Sequence, residues 1–221
     1  MPVLNESANL QRAIDSTQPS DNIEVIVVDG GSSDDTCQVA AACGVKVIAS
    51  SAGRSSQMNL GAAAATGEIL LFLHGDSRLP LGFDRLIRQV ISGMQPPIAG
   101  AFRLGIDAPQ ASLRWVERGV YWRSKNFQMP YGDQGIFLQA KIFEELGGFP
   151  DLPIMEDFEL IRRLRQRGKI SIISQPIMTS ARRWLQKGIL KTTLINQLMV
   201  MGYLVGVSPE RLLELYRRKK R

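Results

Sequence analysis

The chain has 221 residues, 44% of them hydrophobic and 22% charged, which is enough to bury a full core in one domain and excludes an intrinsically disordered chain. Its 27 Lys and Arg against 21 Asp and Glu leave a formal charge of +6, which favours anionic partners: phosphorylated substrates, acidic lipid or nucleic acid. The chain opens on "MPVLNES" without a basic then apolar leader. Cys37 and Cys43 would sit about 9 Å apart on a shared helix, beyond disulfide reach. A reducing, cytoplasmic setting is therefore expected.

From residue 23 the pattern alternates. "IEVIVV" (23–28) reads as a buried strand that stops at the turn-rich "DGGSSDDT", and a helix follows over 34–43 to Gly44. "VKVIAS" reads as the next strand, "SSQMNLGAAAAT" as a helix closed by Gly67, and "ILLFL" as a third buried strand. This β-α-β-α-β order predicts an α/β fold with a mostly parallel central sheet, helices on both faces, and ligands beyond the carboxyl ends of the strands. Further on, 98–106 reads as a strand, 112–126 as an amphipathic helix, 134–139 as a short strand and 141–146 as a helix ending at Gly147. "MEDFELIRRLRQRG" (155–168) is the clearest helix, with acids at its start and bases at its end to match the helix dipole.

The end of the chain differs. Residues 192–207 carry no charge but number sixteen, short of the roughly 20 that a helix needs to span a bilayer. Leu190, Leu194, Leu198, Met201 and Val205 recur at helical spacing, and "RRKKR" closes the chain. Two readings stay open for this C-terminal helical tail: packing on the domain, or peripheral contact with an anionic membrane surface.

Several residues suit chemistry. Asp29 ends an apolar run, where a carboxylate needs a partner; a base or ribose would serve, and so would a helix-capping turn. In "FLHGDSRLP", His74 and Asp76 are two apart, on one side of an extended segment, so one ion could touch both; a capped turn beside a solvated histidine is the alternative. Oxygen suits Mg²⁺ or Mn²⁺, and the imidazole leans toward Mn²⁺. His74 is the only histidine, and no Gly-x-Ser-x-Gly elbow accompanies it, which lowers hydrolase readings. Glu156 and Asp157 open the 155–168 helix, where a carboxylate either serves as general base or only complements the dipole. In "SARRW", Arg182, Arg183 and Trp184 suit a diphosphate and a ring, or form a solvated basic turn.

Taken in order, "PVLNES", "VVDGGSSDDT", "GRSSQMNLGAAAATGEILLFLHGDS", "MEDFEL" and "RRW" resemble the family-2 glycosyltransferases of the GT-A fold, over roughly residues 2–184. The resemblance implies a GT-A domain over 1–184 followed by an amphipathic helical tail over 185–221. It implies an inverting transfer of one sugar from a nucleoside-diphosphate sugar, most readily a UDP-sugar, to an acceptor hydroxyl, helped by divalent Mn²⁺ or Mg²⁺. By position, Pro2, Asn5 and Glu6 match the first segment at the nucleotide, Asp29 the acid at the base or ribose, and Arg54 a nucleotide-side residue. Asp76 matches the last acid of the Asp-x-Asp metal motif, with His74 in place of the first. Asp157 matches the general base, with Glu156 beside it. Arg183 and Trp184 match the end of a Gln-x-x-Arg-Trp motif whose Gln is absent, since Thr179, Ser180 and Ala181 precede Arg182. This favours single transfer over processive synthesis.

The family opens with a full apolar strand, and here only Met1 precedes Pro2, so either the start lies upstream or the sheet lacks part of a central strand. The aromatic-rich 112–137 stretch, with Asp133 and Gln134, is expected at the acceptor or donor sugar. A lipid or isoprenoid acceptor at the inner membrane face fits the basic, apolar tail, and nucleic acid is not expected as a partner. Two other classes are testable alternatives. A nucleotidyltransferase would need a Gly-rich basic loop where this chain has "NESANLQ"; a non-catalytic binding module would need neither Asp76 nor Asp157.

Overall fold

A computed structural model describes residues 1–18, 20 and 22–218. In chain order the elements are β1 (Pro2–Val3), α1 (Ser7–Asp15), β2 (Ile26–Asp29), α2 (Thr36–Ala42), β3 (Lys46–Ala49), α3 (Arg54–Ala63), β4 (Ile69–Phe72), β5 (Ser77–Arg78) and α4 (Phe83–Ile91). Then follow β6 (Ala99–Asp107), α5 (Ala111–Phe127), a 3₁₀ turn (Gly132–Gln134), β7 (Ile136–Gln139), α6 (Ala140–Glu145), α7 (Glu156–Arg167), β8 (Ile170–Ser180), α8 (Arg182–Lys187), α9 (Ile189–Leu204) and α10 (Pro209–Arg218).

The strands form two sheets. β1, β2 and β3 pair in parallel, the arrangement that the alternating pattern predicts. The second sheet, ordered β4-β7-β6-β8-β5, is mixed: β6 and β8 run parallel, while β7 runs antiparallel to both β4 and β6. β4, whose sequence reads as the third strand of a parallel series, thus finds its partner in a segment more than sixty residues away, and local pattern carries no information about such a partner.

Between the sheets lies a slot. β1 pairs with β2 only through Pro2 and Val3. Beyond Met1, Ile23–Ile26 and the β4 residues Ile69–Phe72 flank an apolar cavity of about 180 Å³, walled by Met58 and Ala62 of α3 and by Phe83 and Ile87 of α4. The amino group of Met1 stands at its end and donates to the Ile26 carbonyl (2.7 Å). Burial pushes this amine from 8.0 down to about 5.

Packing explains the rest. Phe72, Phe143 and Phe149 meet in tilted and edge-on pairs at 4.8–5.5 Å in the largest core cluster, where α7 adds Phe158, Leu160, Ile161 and Leu164. The segment 185–221, which the sequence sets apart as a tail, contributes Ile195, Met199 and Leu212 to that same core, and α9 is apolar on both faces rather than on one. Tyr203 of α9 donates to Glu159 of α7 (3.1 Å), tying the two helices. The end of the "RRKKR" run, residues 219–221, lies outside the described residues. At Gly100, where β6 crosses β7, an added Cβ would stand 2.2 Å from the Phe137 ring. Gly100→Ala is therefore expected to cost about 1–3 kcal/mol, read as a lower urea midpoint with an unchanged slope.

Candidate active site

Three chain segments converge beyond the ends of β1, β2 and β4. At the first, Asn5 adopts a left-handed backbone (φ 54°), which asparagine tolerates. Its N–H donates to Ser32 Oγ (2.8 Å) and its Oδ1 accepts from the Ser33 N–H (2.8 Å), so the β1 and β2 turns lock together. Asp29 closes this turn: its Oδ2 accepts from the Gly31 and Ser32 N–H groups (3.0 and 2.9 Å) and its Oδ1 from Ser32 Oγ. Burial alone would raise Asp29, but the hydrogen bonds from Ser32 and Gly31 outweigh it and hold the carboxyl below its ordinary range. Gln57 of α3 donates to the carbonyls of both Val3 and Val28, fastening α3 beneath the two strands.

The second segment follows β4. His74 is pushed down to about 4 by burial and by the nearby Arg54 guanidinium, so its imidazole is neutral at pH 7 and keeps a lone pair for a ligand. Asp76, two residues on, is raised by burial and by Glu6, with Arg182 opposing. Arg182 pairs with Glu6 across 176 positions of sequence, closing the first loop onto the end of β8.

The third segment is the 3₁₀ turn and the start of α7. Met155, the residue before the helix, holds a left-handed backbone (φ 71°), a strained conformation that sets the direction of Glu156 and Asp157. Asp157 accepts the Gly132 N–H at Oδ2 and the Phe158 N–H at Oδ1, both at 2.7 Å. A Cβ placed on Gly132 would lie 3.1 Å from Asp157 Oδ2 and 3.2 Å from His74 Nε2, so glycine is what lets these two side chains approach the turn together. Glu156 is buried and lies 3.2 Å from Arg54 Nε; burial raises its carboxyl, with Arg54 opposing. Asp133 Oδ1 is buried with no hydrogen-bond partner, and its carboxyl is pushed up to about 6 by burial, with Arg123 opposing and Asp157 adding to the rise.

The electrostatic neighbours of Arg54 are Glu156, Asp157, Asp133 and Asp76, acids drawn from three separated stretches, and Arg183 faces Asp133 and Asp76 as well. A pocket of this kind suits a phosphorylated ligand whose own charge is shared between cation and metal. Among the described residues no three His, Cys, Asp or Glu side chains stand close enough together to hold a metal by themselves. The donor chemistry fits a divalent ion all the same: a neutral imidazole, a carboxylate two residues away, and an orphaned carboxylate oxygen on Asp133.

A family model described as Glycosyl transferase family 2 matches residues 1–141, well over half of the chain. The chain belongs to this family. An uncharacterised glycosyltransferase of Mycobacterium tuberculosis is 30% identical over 172 residues, which cover 72% of this chain and 64% of that relative. The chain thus spans less than two thirds of the relative's length. Among solved structures, Staphylococcus aureus TarS (residues 1–349, with UDP) superposes with a TM-score of 0.62 at 17% identity, covering 81% of this chain and 58% of that one. Glucosyl-3-phosphoglycerate synthase of M. tuberculosis, with Mn²⁺ and UDP-glucose, gives 0.57 at 20% identity over 80% and 68%. The fold of this glycosyltransferase is GT-A.

The residues that the sequence marks in this glycosyltransferase separate into two groups. Asn5, Glu6, Asp29, Arg54, His74, Asp76, Asp133, Glu156 and Asp157 gather at one site. Pro2, by contrast, is buried in the β1–β2 ladder. Gln134 is wholly buried and bonded through both ends of its amide: the nitrogen donates to Phe102 O (2.8 Å), and the oxygen accepts from Ser124, Arg123 and the Tyr131 N–H. It holds the turn that carries Asp133 and is buried away from a sugar. Trp184 is likewise buried among Leu104, Ile106, Leu113 and Ala181, so its ring anchors α8 and is not free to stack on a ligand. Arg183 donates to Asn196 of α9 (3.1 Å) and lies 5.0 Å over the Tyr216 ring of α10, and it also has Arg54, Asp133 and Asp76 of the site as electrostatic neighbours. Gly132, Gln57 and Met155 are absent from the residues marked in the sequence, whereas Arg182, marked there for a diphosphate, pairs with Glu6. The "GDQ" spacing was a signal for the first of these; the others depend on contacts remote in sequence.

Proposed function

We propose that this glycosyltransferase moves one sugar, with inversion, from a UDP-sugar to a hydroxyl of an amphiphilic acceptor presented at an anionic membrane surface. The observation that carries the reading is Asp157, held by two backbone N–H groups beside Gly132 and His74, at the site where Arg54 and Asp76 meet. Each Asp157 oxygen retains lone pairs beyond the one its backbone donor uses, so it can still accept a proton. In the transfer, the acceptor O–H gives its proton to Asp157 as the oxygen attacks the anomeric carbon from the face opposite the diphosphate. The bond from that carbon to the diphosphate oxygen breaks, and its electron pair leaves with UDP.

Arg54 supplies positive charge to the departing group, and Glu156 holds its guanidinium in place. Asp76 and His74 would hold a divalent ion jointly with the donor diphosphate. When bound, that ion neutralises charge on the leaving group. The replacement of an acid by neutral His74 leaves one negative charge fewer, which makes the metal depend on the diphosphate for its remaining ligands. TarS and glucosyl-3-phosphoglycerate synthase, with UDP or UDP-glucose in their structures, favour a uridine donor here.

The test is slow hydrolysis of UDP-sugars in the presence of Mn²⁺, paired with a thermal-shift screen of UDP-, GDP- and dTDP-sugars with and without the ion. Donor at 100 times its dissociation constant is expected to add roughly 2.7 kcal/mol of stability. Asp76→Ala is expected to abolish the Mn²⁺-dependent part of both signals. Absence of turnover and of stabilisation by every nucleotide sugar would remove the reading.

A further inference from the structure

We propose that the outward faces of α5 and α9 together form a docking surface for an anionic lipid bilayer. The proposal deepens the reading of a membrane-presented acceptor by naming the face that meets the membrane. On α9, Leu190, Leu194, Leu198, Met201 and Val205 fall at intervals of three and four, so they share one side of the helix. All five are exposed, Leu190 to 87% and Val205 to 75%. The opposite side, Thr192, Ile195 and Met199, is buried in the protein. A helix docked through one face has no folding reason to carry a row of large aliphatics on the other, and such rows mark interaction surfaces. At 16 residues α9 is about 24 Å long, and no helix among the described residues is long and apolar enough to cross a membrane. An apolar helix face of this length suits lying in an interface.

The neighbouring helix adds the residue type that prefers such an interface. Trp115 (71% exposed) and Trp122 (59% exposed) lie seven residues apart on one side of α5, and Phe127 meets the Trp122 ring edge-on at 5.1 Å. The two helices are neighbours, since Leu113, Val116 and Val120 on the inner side of α5 share a cluster with Trp184 and Ile189.

Charge selects the occupant. Residues 182–208 contain Arg182, Arg183, Lys187 and Lys191 and no acid. In α5, Arg114, Arg118 and Lys125 stand against a single acid, Glu117, which is buried and paired with Arg114 at 3.0 Å, while Arg123 turns inward to Met129 and Gln134. A second copy of the chain meeting this face symmetrically would set basic rim against basic rim with no exposed acid on α5 or α9 to compensate. Acidic headgroups complement it, and aliphatic and indole side chains then enter the acyl boundary.

The experiment is cosedimentation of the full chain with vesicles of phosphatidylcholine alone, or of phosphatidylcholine with about a third phosphatidylglycerol. Binding to the anionic vesicles only, weakened by salt, is expected. The charge-introducing double variant Leu194→Glu/Leu198→Glu and, separately, Trp115→Ala/Trp122→Ala are expected to bind about tenfold more weakly or worse. Stabilisation by UDP with Mn²⁺ should be retained in both, which shows that they fold. No vesicle binding at low salt overturns the proposal, as does equal binding by the variants. So does a dimer in solution that the Glu variant converts to a monomer. Vesicle binding without any response to UDP would count against the transferase reading alone, and the reverse against the docking face alone.

Discussion

Asp157→Asn is expected to lower sugar transfer by about 10²- to 10⁴-fold, the range that a positioned general base contributes. The substitution keeps the side chain's shape and one acceptor oxygen, so either the Gly132 or the Phe158 N–H keeps its partner. What it removes is the capacity to take the acceptor proton. The loss should therefore appear in kcat, with the KM for the UDP-sugar and the stabilisation by UDP with Mn²⁺ close to those of the parent. The next candidate for the role is Asp133, whose buried Oδ1 has no partner and whose carboxyl is pushed up to about 6. If Asp157→Asn retained full activity while Asp133→Asn lost it, the base would move to Asp133. Otherwise Asp133→Asn should act mainly on the KM of the acceptor.

A second large effect is expected at the other end of the sheet. Adding about five apolar strand-forming residues before Met1 should raise the melting temperature by roughly 5 °C or more. The slot between Ile23–Ile26 and β4 is apolar and walled by α3 and α4, so it can take an extended segment whose side chains enter the cavity on both sides. Each buried Val or Ile stabilises by about 1.5–3 kcal/mol, against about 1–2 kcal/mol of backbone entropy per ordered residue. The extension also moves the amino group out of the slot. That amine falls from 8.0 to about 5 on folding, so the unfolded chain binds more protons between these values and stability rises with pH across the window. His74, falling from 6.5 to about 4, acts with the same sign but below pH 6.5. The interval from 6.5 to 8 thus isolates the amine: the parent chain should gain stability there, and the extended chain should not. A Gly-Ser extension of equal length relocates the amine without filling the cavity. A melting temperature as high with Gly-Ser as with the apolar strand would show that the slot needs no strand.

Much of the site is legible in local sequence because its chemistry sits at the ends of elements. Asp29 follows a β-branched run, His74 and Asp76 follow "ILLFL", and Asp157 opens the most dipole-matched helix in the chain. In each case the element positions the backbone and the residue after it faces the crevice. Where the reading of residues fails, the cause is a partner far away in sequence. Gln134 looks like a ligand contact beside Asp133, yet Phe102 and Ser124 consume its hydrogen bonds. Trp184 looks like a stacking ring, yet it fills the space under α5. α1, α4 and β8 lie outside the elements that local pattern predicts, although β8 is the longest strand among the described residues; its ladder to β6 carries a register shift where Pro176 follows Ile173 in the pairing.

Periodicity and punctuation determined the alternating β2–α3 run, the span of α7 with its charge gradient, and the outward apolar row of α9. All of these are set within one or two helical turns or one strand, where side-chain pattern and backbone conformation are directly coupled. Tertiary structure alone decided that β4 joins β7, that Ile195, Met199 and Leu212 complete the largest core cluster, and that Arg54, His74, Asp133 and Asp157 meet at one turn. Those outcomes depend on which buried surfaces fit one another and on which polar groups find partners when packed. No stretch of sequence carries that information by itself.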